Sequence, residues 1–339
     1  MIPLKLQQNK PKIIWLVFFM LTLLLLLGSY VGLRFGAMTF SNQELITVLH
    51  HPFTDSKAQD IIIDIRLPRM IAALFVGAAM AQAGALMQGI TRNAIADPGL
   101  LGINSGAGLA LIMAYALIGN LHYLNILLIC LLGSTLAAIM VFLLSYQKGK
   151  GYNQLRLILA GAMVSTLFSA IGQAITIFFN LETTVIGWQA GGLAQINWAM
   201  LVIIIPIISV GLLLAQLFAH QLTILSLNET VAKSLGQETF LMTVLLLTIV
   251  LIMSSGAVAM VGSIAFVGLI IPHLVKLFVP KDYRLILPLS AYLGAIFLLW
   301  VDIASRLMNP PSETPIGAIV SVLGLPWFLW LIRRGRYLS

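Results

Sequence analysis

HQLTILSLNETVAKSLGQE, residues 220–238, is a polar island between two long apolar runs in a chain whose mean hydropathy is +1.02. The runs on either side suit lipid and the island does not. If the flanks cross a bilayer, the island forms a cytosolic helix-turn-helix large enough to dock a soluble protein. The chain then reads as one that receives a push from a partner.

Composition sets the class. Of 339 residues, 60% are hydrophobic and 9% charged, whereas soluble domains carry about 25% charge. A helix needs about 20 mostly apolar residues to cross about 30 Å of hydrocarbon. Helices are the spanning structure that fits, because barrel-type alternation is absent and lipid leaves no backbone group unpaired. The apolar runs predict an all-α polytopic membrane protein with about ten transmembrane helices, at 13–33, 70–88, 98–118, 124–146, 156–179, 198–219, 240–260, 263–279, 285–303 and 315–332. Glycine, proline and serine interrupt the third and eighth, as in broken spans that line a cavity. No linker or composition shift divides the sequence, so residues 1–339 read as one membrane domain with a cytosolic region at about 220–239.

Charge placement fits this count. Arg34, Lys57, Arg66, Arg69 and Arg306 fall on one side, and the other fourteen of the 19 lysines and arginines on the opposite side. By the positive-inside rule that second side is cytosolic, together with both termini and the island. The net charge of +8 then reports topology and contact with anionic membrane lipid, not nucleic-acid binding. Lys5, Lys10 and Lys12 ahead of a long apolar run read as the start of an uncleaved first helix. The single cysteine, Cys130, forms no internal disulfide and offers no paired metal site.

No GxxxxGK[ST] or strand-linked GxGxxG occurs, so any ATP chemistry belongs to another subunit. GLLGINSGAG at 99–108 lacks the phosphate-loop lysine and suits close helix packing instead. In RLPR, residues 66–69, Pro68 suits a first helical turn. Arg66 and Arg69 stand at an outer helix mouth, where Arg306 also arrives near Asp302 and Glu313. Arginine at a helix N-terminus opposes the dipole and asks for an acid. Two readings stay open: snorkelling or pairing with Asp64 within the chain, or forks that bind carboxylates on an incoming protein. The turn after the second span, 88–99, is a connector that could also narrow a pore, with Asp97 capping the next span. In the island, Ser226 with Glu229 three residues on is a capping-box pattern for a short helix that Gly236 stops, with Val231, Ala232 and Leu235 on one apolar face. A helix resting on the membrane is one reading of that face, and a docking helix for a partner is the other. His273 reads as structural, and Trp188 and Trp198 as interface anchors.

These pieces together resemble the FecCD-type permease subunits of type II ABC importers for iron-siderophore, haem and cobalamin. The matching stretches are RLPRMIAALFVGAAMAQAGALMQGITRNAIADPGLLGINSGAG (66–108), RLILAG (156–161), AKSLGQ (232–237), GSIAFVGLIIPHLVK (262–276) and ETPIGAIVSVLGLPWFLWLIRR (313–334), in the family's order over nearly the whole chain. The resemblance implies a ten-helix permease in a bacterial inner or plasma membrane, not itself an enzyme. It also implies a second permease subunit, similar but distinct or a second copy, two ATP-binding subunits that carry ATP and Mg, and an extracytoplasmic binding protein. It places binding-protein docking at Arg66, Arg69 and Arg306. It places ATPase coupling at Ser226, Glu229, Ala232, Leu235 and Gly236, and the cytoplasmic gate at Asn93, Ile95, Gln154 and Leu155. Where the family more often has an NPLADP-like run, this chain reads Asn93-Ala94-Ile95-Ala96-Asp97-Pro98, without the first proline. The expected cargo is an iron(III)-siderophore, of hydroxamate type such as ferrichrome, with haem and then cobalamin as alternatives. An ion-coupled secondary transporter is the competing class. It would need an intramembrane carboxylate or lysine to relay protons or grip substrate, and none is plainly placed for that. A membrane enzyme would need a convergent His, Asp, Glu or Cys set, which the spans lack.

Overall fold

The alanine- and glycine-rich stretch from Ala72 to Gly89 lies on the longest apolar helix, which runs over Lys57–Thr91. Small side chains let neighbouring helices approach to backbone contact, the means by which helices associate once lipid removes the hydrophobic drive between them. A Cβ on Gly77 would stand 2.2 Å from the carbonyl oxygen of Gly294, and one on Gly84 would stand 1.9 Å from that of Gly268. This helix is accordingly central: 83% of its most apolar window is buried, against 28% for Arg156–Phe178.

The computed structural model describes residues 10–334 apart from 52–55, 120, 148–150, 153, 184, 186–190, 228 and 311. In chain order the helices are α1 (Lys10–Arg34), α2 (Asn42–His50), α3 (Lys57–Thr91), α4 (Ile103–Leu117), α5 (Tyr123–Ser145), α6 (Gln154–Phe178), α7 (Trp198–Leu217), α8 (Ala219–Leu225), α9 (Glu229–Ser234), α10 (Thr239–Val261), α11 (Val267–Phe278), α12 (Tyr283–Leu307) and α13 (Ile316–Arg334). A two-residue antiparallel ladder, Tyr146–Gln147 with Gly151–Tyr152, joins α5 to α6. Among the described residues, six helices are long and apolar enough to span a bilayer. Four shorter apolar helices, Phe18–Arg34, Ile103–Leu117, Val267–Phe278 and Ile316–Leu329, bring the described residues to the ten expected.

The third and eighth spans are broken, as their glycine and proline content predicts. A 3-10 turn, Pro98–Leu101, ends at Gly102 with φ +73 before α4 begins. The eighth is only the 12-residue α11, which starts after Phe266 in a left-handed conformation. Close packing through the 99–108 glycines also holds: a Cβ on Gly106 would meet the Gly133 carbonyl of α5 at 2.3 Å.

The second span differs from its expected start at residue 70. Its helix begins at Lys57 and passes through a π-helical segment, Asp60–Arg66, before continuing as α-helix from Leu67. Pro68 stands, as expected, in the first turn of the α-helical part, which is itself inside a longer continuous helix. The widened ladder reconciles proline with that position: the Leu67 N–H reaches back five residues to the Ile62 carbonyl, and a π-bulge absorbs the bond that proline cannot donate.

Candidate functional site

At one end of the bundle, α3, α12 and the end of α1 converge on a buried charge cluster. Arg69 on α3 donates through Nε to Asp302 Oδ1 of α12 (2.6 Å) and through Nη1 to Glu313 Oε1 (2.5 Å), in the segment leading to α13. Arg306, one turn beyond Asp302, places Nη2 3.1 Å from Asp302 Oδ2 and donates through Nη1 to the Gly32 carbonyl. Arg66 donates to the carbonyls of Leu33 (2.6 Å) and Met38, and its guanidinium carbon lies 4.8 Å from the centre of the Phe40 ring. All three arginines are buried, and Asp302 is fully so. Glu313, with 37% of its side chain exposed, is the cluster's contact with solvent.

The within-chain partner is not the expected Asp64, which is exposed, but Asp302 and Glu313 for Arg69. The long separation in sequence, 233 residues to Asp302, is why local spacing pointed to the wrong acid. Since α3 begins at Lys57, neither Arg66 nor Arg69 sits at a helix N-terminus, and the dipole conflict expected there does not arise. The cluster brings the three sequence-predicted arginines to one end of the bundle, with two acids to three guanidinium groups. Arg69 Nη2 has no hydrogen-bond partner among the described residues.

At the opposite end, α8 and α9 form the polar island. Gly236, at φ +79, ends α9 as expected, with its N–H on the Lys233 carbonyl and that of Gln237 on the Ala232 carbonyl. Ala232 is buried beneath α9, while Val231 and Leu235 are exposed, Leu235 at 61%. Ser226 is not set as the N-cap that the expected capping box requires. Ser226 keeps helical backbone angles, φ −70 and ψ −13, as the residue that closes α8, and its hydroxyl donates back to the Thr223 carbonyl at 2.7 Å. A capping serine needs an extended backbone to aim its oxygen forward. Glu229 opens α9, and its side chain lies outside the described residues.

Between the island and the core lies the 92–97 turn. Asn93 Oδ1 accepts from the Ile95 N–H (3.1 Å) and the Asn93 carbonyl from that of Ala96, which folds the turn on itself without the family's usual proline. Asp97 caps the following 3-10 turn, with Oδ1 accepting from the Gly99 N–H at 2.8 Å. Its Oδ2 stands 2.9 Å from where a Gly268 Cβ would be, at the first turn of α11. Burial pushes the Asp97 carboxyl up to about 6, against the opposing pull of the Gly99 N–H. Pro98–Leu101 packs on α6, whose first residues are Gln154 and Leu155, the other two positions expected at a gate. The side chains of those two lie outside the described residues.

Sequence reading passed over two features. Gln88 Oε1 accepts from Lys276 Nζ (2.7 Å) while its Nε2 donates to the Gly268 carbonyl (3.3 Å), a buried tie from α3 to α11. On α6, Ala162, Thr166, Ser169, Ala170, Gln173 and Ala174 are all exposed, interleaved with the exposed apolar Leu159, Met163, Leu167, Ile171 and Ile177. The spacing of the small and polar set puts it on one helix face, and small polar groups facing hydrocarbon are unfavourable. That face is suited to water or a partner subunit. The signal was present as a period of three and four residues, but hydropathy summed over the run conceals it.

A model of a family described as the FecCD transport family matches residues 21–334. The chain belongs to that family. It is 39% identical over 313 residues to the iron(3+)-hydroxamate import system permease protein FhuB of Bacillus subtilis (strain 168), covering 92% of this chain and 82% of that one. It is 35% identical to the hemin transport system permease protein HmuU of Yersinia pestis, covering 96% and 97%. A solved structure described as a metal-chelate type ABC transporter in an inward-facing conformation superposes with a TM-score of 0.81 at 30% identity, covering 94% of this chain and 99% of that one. The chain is thus a multi-pass permease subunit of a bacterial ABC importer with the type II fold, and not itself an enzyme.

Proposed function

We propose that this permease forms half of the membrane pathway of an ATP-driven importer for an iron(III)-siderophore of hydroxamate type, such as ferrichrome. The observation that carries the reading is the exposed face of α6. It mixes small and neutral polar side chains with the exposed apolar Leu159, Met163, Leu167, Ile171 and Ile177, and carries no ionisable residue between Arg156 and Phe178. Such a face suits a bulky chelate that must pass without being held, because tight binding inside a conduit slows release. The hydroxamate assignment draws on the likeness to FhuB, and the likeness to HmuU makes haem the alternative, with cobalamin after it.

The α6 faces of this chain and a second permease, similar but distinct, enclose the pathway. Two ATPase subunits, holding ATP and Mg, dock on the exposed Val231 and Leu235 of α9. Both termini and the island are cytosolic. An extracytoplasmic binding protein docks over the outer cluster, where Glu313 is the exposed carboxylate already engaged with Arg69. A carboxylate on the binding protein displaces Glu313 from Arg69 and supplies the charge the cluster lacks. In this scheme Asn93, Ile95, Gln154 and Leu155 close the cytosolic end.

The test is uptake into proteoliposomes by this chain with its co-purified subunits and binding protein, with ferric hydroxamate, haem and cobalamin each labelled. Selective ferric hydroxamate uptake is the expected result. Selective haem or cobalamin uptake would overturn the cargo assignment and leave the importer class standing.

A further inference from the structure

Arg92 is an uncommon residue for its place. It closes α3 in a left-handed conformation, φ 52 and ψ 32, with its N–H on the Gln88 carbonyl. That position usually belongs to glycine, because a Cβ is strained there. A non-glycine residue held in that region asks what its side chain supplies. Here Arg92 Nε donates to the Leu225 carbonyl at 3.0 Å, across 133 residues of sequence. Leu225 is the last residue of α8, so this oxygen is one of the carbonyls a helix C-terminus leaves unpaired, where a cation is favoured. One residue thus caps two helices, α3 with its backbone and α8 with its side chain.

What α8 touches gives that joint a direction. Gln237, just after α9, donates through Nε2 to the Gln221 carbonyl of α8 at 2.8 Å, which fastens the exit of the island to α8. Thr223 of α8 accepts from the Tyr283 N–H at 3.0 Å, at the start of α12. Gly89 leaves no room for a Cβ, which would meet Leu222 at 2.7 Å and Tyr283 at 2.9 Å. The end of α3 is therefore wedged between α8 and α12, and the residue after Arg92 is Asn93, where the 92–97 turn begins.

We propose that Arg92 is a positioning residue that transmits movement of α9 and α8 to the cytosolic gate turn. This rests on the coupling role proposed above for α9. A push on α9 displaces α8 through the Gln237 to Gln221 bond. The Leu225 carbonyl then carries Arg92 with it, and the turn bearing Asn93 and Ile95 swings from a backbone already wound against its preference.

Arg92→Gly separates this role from a structural one, because glycine suits φ 52 better than arginine does. In the full complex in proteoliposomes, Arg92→Gly is expected to unfold at the same temperature as wild type or higher and to retain ATP hydrolysis. Its uptake per ATP is expected to fall about tenfold, the scale of losing one hydrogen bond from a charged donor. Arg92→Lys, which keeps a cationic donor within reach, is expected to recover part of that ratio. Unchanged uptake per ATP in Arg92→Gly would overturn the proposal. Leu235→Glu is the control for the underlying reading. If it loses ATPase association while Arg92→Gly stays coupled, α9 docks the ATPase and Arg92 is not the link. If Leu235→Glu leaves assembly and coupling intact, the coupling assignment itself fails and the role of Arg92 with it.

Discussion

Asp302→Asn is the sharpest test of the Arg66–Arg69–Arg306 charge cluster. The carboxylate is fully buried and faces two guanidinium groups, 2.6 Å from Arg69 Nε and 3.1 Å from Arg306 Nη2. Asparagine keeps an acceptor oxygen but removes the charge, leaving Glu313 to balance three arginines. Breaking a buried pair by removing one partner costs about 3–5 kcal/mol, because the remaining ion stays desolvated. Since Arg69 keeps Glu313, the lower end applies here, about 3 kcal/mol. The assay is unfolding in detergent micelles by titration with a denaturing surfactant, followed by loss of helical circular dichroism. A second variant, Arg306→Gln in the Asp302→Asn background, restores the balance of charge and is expected to cost less than the two single changes together by about 1 kcal/mol or more. The reasoning is refuted if Asp302→Asn lies within about 0.5 kcal/mol of wild type, the range of an ordinary surface change, and the double variant is simply additive.

Gly84→Ala places a methyl group 1.9 Å from the Gly268 carbonyl. It should force α3 and α11 apart and lower stability by about 1–3 kcal/mol in the same assay, whereas Ala78→Gly nearby should not separate them. Asp97, whose carboxyl burial raises to about 6 from an ordinary 3.8, holds its proton more tightly in the folded state than in the unfolded one. Stability should therefore fall as pH rises from about 4 to about 6, by up to about 3 kcal/mol, and level off above; unfolding across pH should show this slope in wild type and lose it in Asp97→Asn. Ser169→Cys, in a background with Cys130 replaced by alanine, should react with a membrane-impermeant maleimide in the assembled complex if the α6 face lines water. Leu132→Cys, on an exposed and wholly apolar part of α5, should not react.

Spans are legible because each must supply about 20 apolar residues, a signal that survives ignorance of what packs on what. Even the two broken helices showed in Pro98, Gly102 and the 262–266 interruption. The N-terminal extension of α3 was hidden because Lys57, Asp60 and Asp64 carry the composition of a connector, and a π-segment has no compositional signature to set against it. The arginine cluster was half visible. The three arginines stood out, yet which acid meets Arg69 depends on how α12 packs on α3 through Gly77 and Gly294, a contact between distant parts of the chain. Ser226 misses the N-cap role for a local reason: a capping serine must leave the helical region, and α8 holds Ser226 within it. Arg92 drew no notice because nothing in RNAIAD reveals a left-handed arginine whose partner lies 133 residues away.

The most direct measurement of the central claim is what drives transport. In proteoliposomes holding the complete complex and binding protein, chelate uptake should require ATP on the side of the ATPase subunits and persist when proton and sodium gradients are collapsed. Uptake driven by an ion gradient without ATP would contradict the importer mechanism and return the chain to the ion-coupled carriers.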